Sequence, residues 1–157
     1  MMRFWQVSAT DDLEKLAAQI NAAVWDADND IGLYSAAGLA AYLSHDDRLF
    51  LVCTVGEGDR EKLAGMASAQ FQLKPYSNQR WLYVDEVDTS VSCRRRGVAT
   101  GLMRLLFELA RKRHCVEVWL GTEKANTAAQ ALYDKLRPQE REVFVGYSYQ
   151  VSSDASA

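Results

Sequence analysis

The sequence predicts an α/β (α+β) domain, because segments of helical and strand-like periodicity alternate along the chain. Apolar residues recur at three- and four-residue spacing in four segments, and runs rich in β-branched or alternating residues separate them. The chain of 157 residues is 48% hydrophobic and 25% charged, which is typical of a globular domain with a substantial core. We expect one domain over residues 1–151 and a flexible tail over residues 152–157.

The first half of the chain predicts a strand, two helices and a β-hairpin. The strand RFWQVSA precedes a helix for which Thr10, Asp11 and Asp12 supply the N-cap. Ser35 caps a second, shorter helix, and LFLVCTV and LAGMASAQFQL are typical of strands joined by the turn GEGDREK. The expected inner face of the first helix consists of Leu13, Leu16, Ala17, Ile20 and Val24.

The second half predicts a central strand, WLYVDEVDTSV, followed by three consecutive arginines and a helix. A fifth strand, VEVWLGT, a short helix, ANTAAQALYDKL, and a final strand, REVFVGYSYQV, complete the order β-α-α-β-β-β-α-β-α-β. The inner face of the helix after the arginines is expected to consist of Val98, Leu102, Leu105, Leu106 and Leu109.

Charge and composition exclude several classes of function. A net charge of -3 argues against general affinity for nucleic acid, and no apolar run is long enough for a signal peptide or a membrane span. The three cysteines lack CxxC spacing and predict neither a disulfide framework nor a zinc site. We therefore expect a cytoplasmic protein with no bound metal and no nucleic-acid or membrane partner.

The arginine stretch SCRRRGVATGL concentrates positive charge at a strand-to-helix junction. A helix N-terminus presents unpaired N–H groups, and a glycine lets the backbone approach an anion closely. The stretch contains neither GxxxxGK[ST] nor GxGxxG, so it predicts neither a nucleoside-triphosphatase loop nor a dinucleotide fingerprint. Phosphate binding is the functional interpretation, and a solvated basic turn is the alternative.

Two motifs together resemble the GNAT superfamily of N-acetyltransferases. Arg94-Arg95-Arg96-Gly97-Val98-Ala99 matches the superfamily signature Q/R-x-x-G-x-G/A, and Asn126-x-x-Ala129-x-x-Leu132-Tyr133-Asp134-Lys135-Leu136 is similar to its second signature, N-x-x-A-x-x-L-Y-E-K-L. The resemblance implies a mixed, mostly antiparallel sheet that splays between strands 4 and 5 and is flanked by helices.

The resemblance also implies acetyl-coenzyme A as cosubstrate, with its pyrophosphate on the backbone amides of residues 95–100 and its pantetheine against the central strand. Val87 falls where the superfamily directs an N–H toward the thioester carbonyl, a catalytic role in stabilising negative charge. The implied cofactor-binding residues are Val87, Thr89, Arg94, Arg95, Arg96, Gly97, Val98, Ala99, Thr100 and Asn126.

Direct transfer from a thioester requires a neutral amine, an acceptor for its proton and an acid for the departing thiolate. The resemblance implies Tyr133 as that acid. Asp85 and Glu86 are expected on alternate faces of the central strand, and alignment favours Glu86 as the base. A simple charge contact between Glu86 and the substrate is the alternative interpretation.

Within the superfamily the sequence is most similar to the GNAT-type aminoglycoside 3-N-acetyltransferases, through Asp30 to Ser35, Leu73 to Tyr76, Tyr83 to Val87 and Arg141 to Val143. This implies a polycationic acceptor, a homodimer and acetylation of a 3-amino group. The usual Gly after the second signature is replaced by Arg137 and Pro138. A polyamine or peptide acceptor, and a non-catalytic acyl-coenzyme A sensor, are the alternatives. The implied ammonium contacts are Asp30, Asp85, Glu86 and Glu123.

Overall fold

The computed structural model describes residues 1–152, which form two compact units: residues 1–123 and the residues from 124 onward. The first unit contains a five-stranded sheet of order β1-β2-β3-β4-β5, in which the first four strands pair antiparallel and β5 runs parallel to β4. The predicted fold class, with a mixed and mostly antiparallel sheet, is confirmed. The strands are β1 (Met2–Gln6), β2 (Arg48–Val55), β3 (Lys62–Leu73), β4 (Arg80–Thr89) and β5 (Cys115–Trp119).

Three helices of the first unit begin where the sequence predicts them: α1 (Leu13–Ala22), α2 (Ala36–Leu43) and α3 (Val98–Lys112). Asp12 accepts a hydrogen bond from the Lys15 N–H at 3.0 Å, and Ser35 accepts one from the Gly38 N–H at 3.0 Å, which confirms both predicted caps. Val24 is 67% exposed, so its predicted place on the inner face of α1 is wrong. The chain leaves the helical path at Ala23, whose ψ of 148° is extended.

Apolar side chains cover both faces of the sheet. On one face, α1 and α2 pack through Leu16, Ile20 and Leu39 against Phe50 and Met66 of the strands. On the other face lies α3, which buries Val98, Leu102 and Leu106. A Cβ at Gly65 of β3 would lie 2.5 Å from Cγ1 of Val98, so glycine is required for this close approach of α3.

Strands β4 and β5 separate part-way along β4. Their pairing runs from Arg80 with Cys115 to Tyr83 with Trp119, whereas β4 continues to Thr89 alongside β3. The predicted splay between the fourth and fifth strands is therefore present. Among the described residues, no strand pairs with the second half of β4 on the β5 side, and this is an edge that an extended ligand can join.

A β-bulge interrupts β4 at Asp85. Ala69 pairs with Val84 and Ser68 pairs with Glu86, so Asp85 is the extra residue. The predicted strict alternation of Asp85 and Glu86 between opposite faces is wrong, because a bulge breaks the two-residue period. Burial raises the pKa of both Tyr42 and Tyr34, two tyrosines on the α2 side of the sheet. The negative charge of Asp85 adds to the rise at Tyr42, and that of Glu86 adds to the rise at Tyr34.

The second unit contains α4 (Thr127–Lys135) and the chain that follows it. Residues 138–152 adopt neither helix nor strand, so the predicted final strand over residues 141–151 is wrong. Its alternating side chains, including Val143, Tyr147 and Tyr149, are exposed, and β-propensity alone does not form a strand without a paired neighbour. Residues 153–157 of the predicted tail lie outside the described residues. In the described part of the chain, no helix is long and apolar enough to cross a membrane.

Candidate active site

A cavity of about 390 Å³ lies between the loop after α1, helix α2 and the sheet. The loop contributes Asp30 and Tyr34, the helix contributes Tyr42, and the strands contribute Ser68 and Glu86. Two of the sequence-predicted acceptor contacts, Asp30 and Glu86, thus line one cavity although 56 positions separate them in the chain. A cavity of this size suits part of a small-molecule substrate.

The loop that carries Asp30 is held in a defined conformation. Asp26 caps a short 3-10 turn at Ala27–Asn29, and Asp30 follows it with a φ of 48°. Aspartate is one of the few residues with a side chain that tolerates this left-handed region. Asn21 of α1 then exchanges two hydrogen bonds with the backbone of Tyr34, at 2.8 and 2.9 Å. The acidic side chain is therefore presented from a fixed loop.

Tyrosine and phenylalanine rings form the apolar wall of the cavity. The Phe50 ring lies 5.9 Å from Tyr34 and 6.3 Å from Tyr42, measured between ring centroids. The Tyr42 hydroxyl lies 3.0 Å from the carbonyl oxygen of Ala69 and donates to it. Burial, followed by the charges of Glu86 and Asp88, raises the pKa of Tyr34 to about 12. Its hydroxyl therefore stays protonated at neutral pH and adds no negative charge to the cavity.

Strand β4 brings three carboxylates into this region: Asp85, Glu86 and Asp88. Asp88 is 7% exposed, and its Oδ1 accepts a 3.0 Å hydrogen bond from Nδ2 of Asn29, while Oδ2 has no partner among the described residues. Burial, and then the charge of Glu86, raises the pKa of Asp88 to about 6, against the lowering effect of the Asn29 bond. Burial also raises the pKa of Asp85, which Arg48 partly offsets.

The stretch after β4 forms an exposed turn that ends at the N-terminus of α3. Gly97 has a φ of 84° and no side chain caps the helix there. A Cβ built on Gly97 would meet nothing within 4 Å, so the space in front of the first helical N–H groups is open. Val98, the first residue of α3, is 1% exposed, because it packs into the core. This geometry suits an anion such as a phosphate.

Arg94 of the predicted phosphate site already has an anionic partner. Its Nη2 forms an ion pair with Oδ2 of Asp26, and the guanidinium lowers the pKa of that carboxyl. Arg95 and Arg96 are exposed and follow in the same turn, with Arg95 at a φ of 59°. The three arginines are thus not equivalent, because one of them joins the turn to the loop after α1.

Glu123 is exposed at the end of the first unit, and two other predicted site residues belong to the second unit. There, Oδ1 of Asn126 accepts a 3.1 Å hydrogen bond from the Ala129 N–H and so caps α4. Tyr133 is partly buried on the same helix. Arg137, which replaces the usual glycine, takes a φ of 58° at the exit of the helix.

The sequence model of the acetyltransferase (GNAT) family matches residues 12–137, which is most of the chain. The chain belongs to the GNAT acetyltransferase family. The match includes the cavity, the splayed strands, the arginine turn and α4. No curated protein matches the sequence closely enough to count as a relative.

Solved structures of other GNAT proteins share this fold. An aminoglycoside acetyltransferase from an uncultured soil metagenomic sample, in complex with sisomicin, superposes with a TM-score of 0.80 at 16% identity, covering 96% of this chain and 97% of that one. A second aminoglycoside acetyltransferase from such a sample gives 0.78 at 24% identity, covering 97% and 99%. AAC(6')-Iy, in complex with the bisubstrate analog CoA-S-monomethyl-acetylneamine, gives 0.73 at 20% identity, covering 96% and 99%.

The GNAT family uses acetyl-coenzyme A as its acetyl donor. The residues after β4 fit the donor's phosphates, because an uncapped helix N-terminus, open space in front of Gly97 and exposed arginines occur together. The sequence identified this turn from its local pattern. It did not predict the bond between Asp88 and Asn29, because this contact joins positions 59 apart.

Proposed function

We propose that this GNAT protein is an acetyl-coenzyme A-dependent N-acetyltransferase that acts on a primary amine of an aminoglycoside, at the 3-amino group. The observation that carries the proposal is the cavity lined by Asp30 from the loop and Glu86 from β4. Carboxylates contributed by two separate elements suit an acceptor that carries several ammonium groups. The choice of the 3-amino group rests on the sequence resemblance described above.

Glu86 is the proposed base, since the reacting amine has to lose a proton before or during its attack. Glu86 lines the cavity together with the apolar rings of Tyr34, Tyr42 and Phe50. An apolar wall solvates an ammonium–carboxylate pair poorly and so favours transfer of the amine's proton to Glu86, whereas the charge of the carboxylate alone would stabilise the ammonium ion. Asp85 and Asp30 then retain the remaining ammonium groups of the acceptor.

The donor would lie along the part of β4 that β5 leaves free. Val87 and Thr89 belong to this part of the strand, and the backbone N–H of Val87 is the proposed donor to the thioester carbonyl. The N–H groups of residues 95–100, with Arg95, Arg96 and the Thr100 hydroxyl, would hold the phosphates. The family resemblance adds Asn126 as a proposed donor contact, and in the structure this residue caps α4.

Tyr133 is the proposed acid for the departing thiolate, and Glu123 is a proposed further contact for an acceptor ammonium. A phenol hydroxyl can donate its proton to a thiolate sulfur. Both assignments come from the position of these residues in the family signatures. They are tested by replacement, as described below.

The test is release of coenzyme A thiol from acetyl-coenzyme A with kanamycin- and gentamicin-class aminoglycosides, spermidine and short peptides as acceptors. We expect release with aminoglycosides that carry a free 3-amine and none when that amine is blocked. Glu86→Gln should abolish most of the release, whereas Asp59→Asn, in the exposed turn between β2 and β3, serves as the control.

Other outcomes of the same assay support other functions. Release only with spermidine or peptides would retain the acetyltransferase chemistry and reject the aminoglycoside acceptor. No thiol release with any acceptor, combined with tight binding of acetyl-coenzyme A, would favour an acyl-coenzyme A sensor. In that case replacement of Glu86 and Tyr133 should leave the biological activity unchanged.

A further inference from the structure

Aromatic side chains form a cluster where β4 and β5 separate. The rings of Trp81 and Tyr83 stack with centroids 6.0 Å apart, and the ring of Trp119 lies 5.8 Å from that of Tyr83. Tyr83 and Trp119 are the last paired residues of the two strands. The cluster therefore lies beside the splay, and neither the proposed mechanism nor the sequence motifs assign it a role.

A lysine ammonium already lies against this cluster. Nζ of Lys74 is 4.2 Å from the centroid of the Trp81 ring and 4.7 Å from that of the Tyr83 ring, and it donates to the Tyr83 hydroxyl. Both distances are within the range of a cation–π contact. Lys74 forms no ion pair with a carboxylate among residues 1–152. Its charge is thus held by rings and a hydroxyl instead of by an acid.

The backbone of Lys74 is fixed while its side chain spans the turn between β3 and β4. Its N–H donates to the Gln79 carbonyl at 2.7 Å, and its own carbonyl accepts from the Asn78 N–H at 3.1 Å. A flexible four-carbon stem on a fixed backbone can withdraw the ammonium without disturbing the strands. The buried indole N–H of Trp81 has no hydrogen-bond partner among the described residues. Because an ammonium group accepts no hydrogen bond, this N–H would pair only with an oxygen of a ligand, such as a hydroxyl.

The cluster and the proposed acceptor cavity lie along the same strand and on the same side of the sheet. Tyr83 pairs with Gln70 and Glu86 pairs with Ser68, and Gln70 and Ser68 point to one side of β3 because they are two residues apart. Because Asp85 is the bulged residue, Tyr83 and Glu86 lie opposite two residues of β3 that are only two positions apart, which is roughly 7 Å along the strand. Ammonium groups on adjacent or next-adjacent rings of an aminoglycoside, or at the two ends of a polyamine, can span such a distance.

We propose that Trp81, Tyr83 and Trp119 form a second cation subsite, which receives a distal ammonium group of the acceptor, and that Lys74 occupies this subsite as an internal competitor until the acceptor displaces it. The proposal rests on the proposed function, in which the reacting amine lies beside Glu86. Lys74 is then a specificity-determining residue. An acceptor with two or more ammonium groups competes with Lys74 for the subsite, whereas the single amine of a monoamine lies beside Glu86 and leaves the subsite to Lys74.

The experiment measures binding in the absence of transfer, by calorimetry with coenzyme A present and kanamycin, spermidine or cyclohexylamine as ligand. Lys74→Gln should lower the Kd of kanamycin and spermidine by about 3- to 10-fold, the range that one cation–π contact provides, and leave that of cyclohexylamine unchanged. Lys62→Gln is the matched control. It removes the same charge from an exposed position at the opposite end of β3 and should change each Kd by less than about 2-fold.

Two further variants identify the subsite itself. Trp81→Leu should cancel the gain from Lys74→Gln when the two are combined, because the rings that receive the ligand are then incomplete. Trp81→Phe keeps an aromatic face and should therefore retain most of the tighter binding that Lys74→Gln causes. It is the second variant to measure if the Trp81→Leu protein does not fold. Equal effects of Lys74→Gln and Lys62→Gln, an undiminished gain in the Trp81→Leu variant, or no binding of either polycation would overturn the proposal.

The acetyl-transfer assay on the same proteins separates the two claims. If no amine is acetylated but Lys74→Gln still tightens the binding of polycations selectively, the subsite stands and the proposed function fails. If aminoglycosides are acetylated and Lys74→Gln changes neither their Kd nor their KM, the proposed function stands and the subsite is rejected.

Discussion

Nδ2 of Asn29 donates a 3.0 Å hydrogen bond to Oδ1 of Asp88, which joins the acidic loop after α1 to the central strand β4. Asp88 is 7% exposed, and its second carboxylate oxygen has no partner among the described residues. The acceptor cavity depends on this contact, because Asp30 directly follows Asn29 in the chain. Loss of the bond frees the loop and leaves a buried carboxylate unpaired.

Asn29→Ala should reduce the free energy of unfolding by about 1 to 3 kcal/mol, because it leaves a buried acceptor without its donor. The same change should raise the KM of the acceptor, since the loop that presents Asp30 loses its tie to the sheet. Urea unfolding and steady-state kinetics measure the two effects. Gln139→Ala, at an exposed position after α4, is the control for loss of an amide side chain. A normal KM for the acceptor in Asn29→Ala would show that the bond does not position the loop.

The raised pKa of Asp88 predicts how stability depends on pH. Its pKa is about 6 in the folded protein, above the ordinary value of 3.8, so the folded state binds a proton that the unfolded chain releases between about pH 4 and pH 6. The contribution of this group therefore falls as pH rises through that window. Asp88→Asn should remove this loss of stability. Between pH 4 and pH 7, the free energy of unfolding of the variant should rise relative to that of the wild type by on the order of 1 to 3 kcal/mol. Urea unfolding at both pH values measures this, and a pH-independent difference between the two proteins would contradict it.

The ion pair between Arg94 and Asp26 predicts unequal roles for the arginines. Arg96→Gln should raise the Kd of coenzyme A by about 3- to 10-fold, since it removes a phosphate contact, and Arg94→Gln by less than about 2-fold because Arg94 is already paired. In an Asp26→Asn background, Arg94→Gln should become as harmful as Arg96→Gln. Calorimetry at low and high salt measures these values. Equal losses in the wild-type background would argue against the assigned difference.

Two glycines should respond differently to alanine. A Cβ at Gly65 would lie 2.5 Å from Cγ1 of Val98 and 2.7 Å from the Asp88 carbonyl oxygen, so the strand or α3 has to move. Gly65→Ala should reduce the free energy of unfolding by about 3 kcal/mol. Gly97→Ala meets no neighbour and only forces an alanine to a φ of 84°, at about 1 kcal/mol. Urea unfolding ranks the two, and the opposite order would refute the packing described for α3.

The acidic residues should separate into two kinetic classes. Glu86→Gln should lower kcat by about 10²- to 10⁴-fold, as expected for loss of a general base. Asp30→Asn and Glu123→Gln should mainly raise the KM of the acceptor, and these effects should weaken with added salt. Steady-state kinetics at two ionic strengths distinguishes the classes. A large loss of kcat in Asp30→Asn would mean that the base is misassigned.

Local sequence signals predicted most of the elements of the fold. Asp12 and Ser35 mark the starts of α1 and α2 because a cap depends on residues two or three positions away. Gly97 and the arginines before it mark the start of α3, where phosphate binding is proposed, for the same reason. These features depend on neighbours in the chain and are therefore readable without the tertiary structure.

Features that depend on distant contacts were not predicted. The bulge at Asp85 arises from the pairing of β4 with β3, and the bond between Asn29 and Asp88 joins segments that no motif connects. The segment over residues 141–151 illustrates the converse error. Its alternation is typical of a strand, but the structure pairs it with no neighbour, and strand formation requires one.

The most direct test of the central claim is to identify the product formed from acetyl-coenzyme A and an aminoglycoside with several free amines. The account predicts one equivalent of free coenzyme A thiol for each acetylated aminoglycoside, with the acetyl group located on the 3-amino nitrogen by nuclear magnetic resonance. The Glu86→Gln variant should form the same product at least about 10²-fold more slowly. Acetylation at a different amine would contradict the assigned position. Thiol release without any acetylated aminoglycoside would contradict the proposed function.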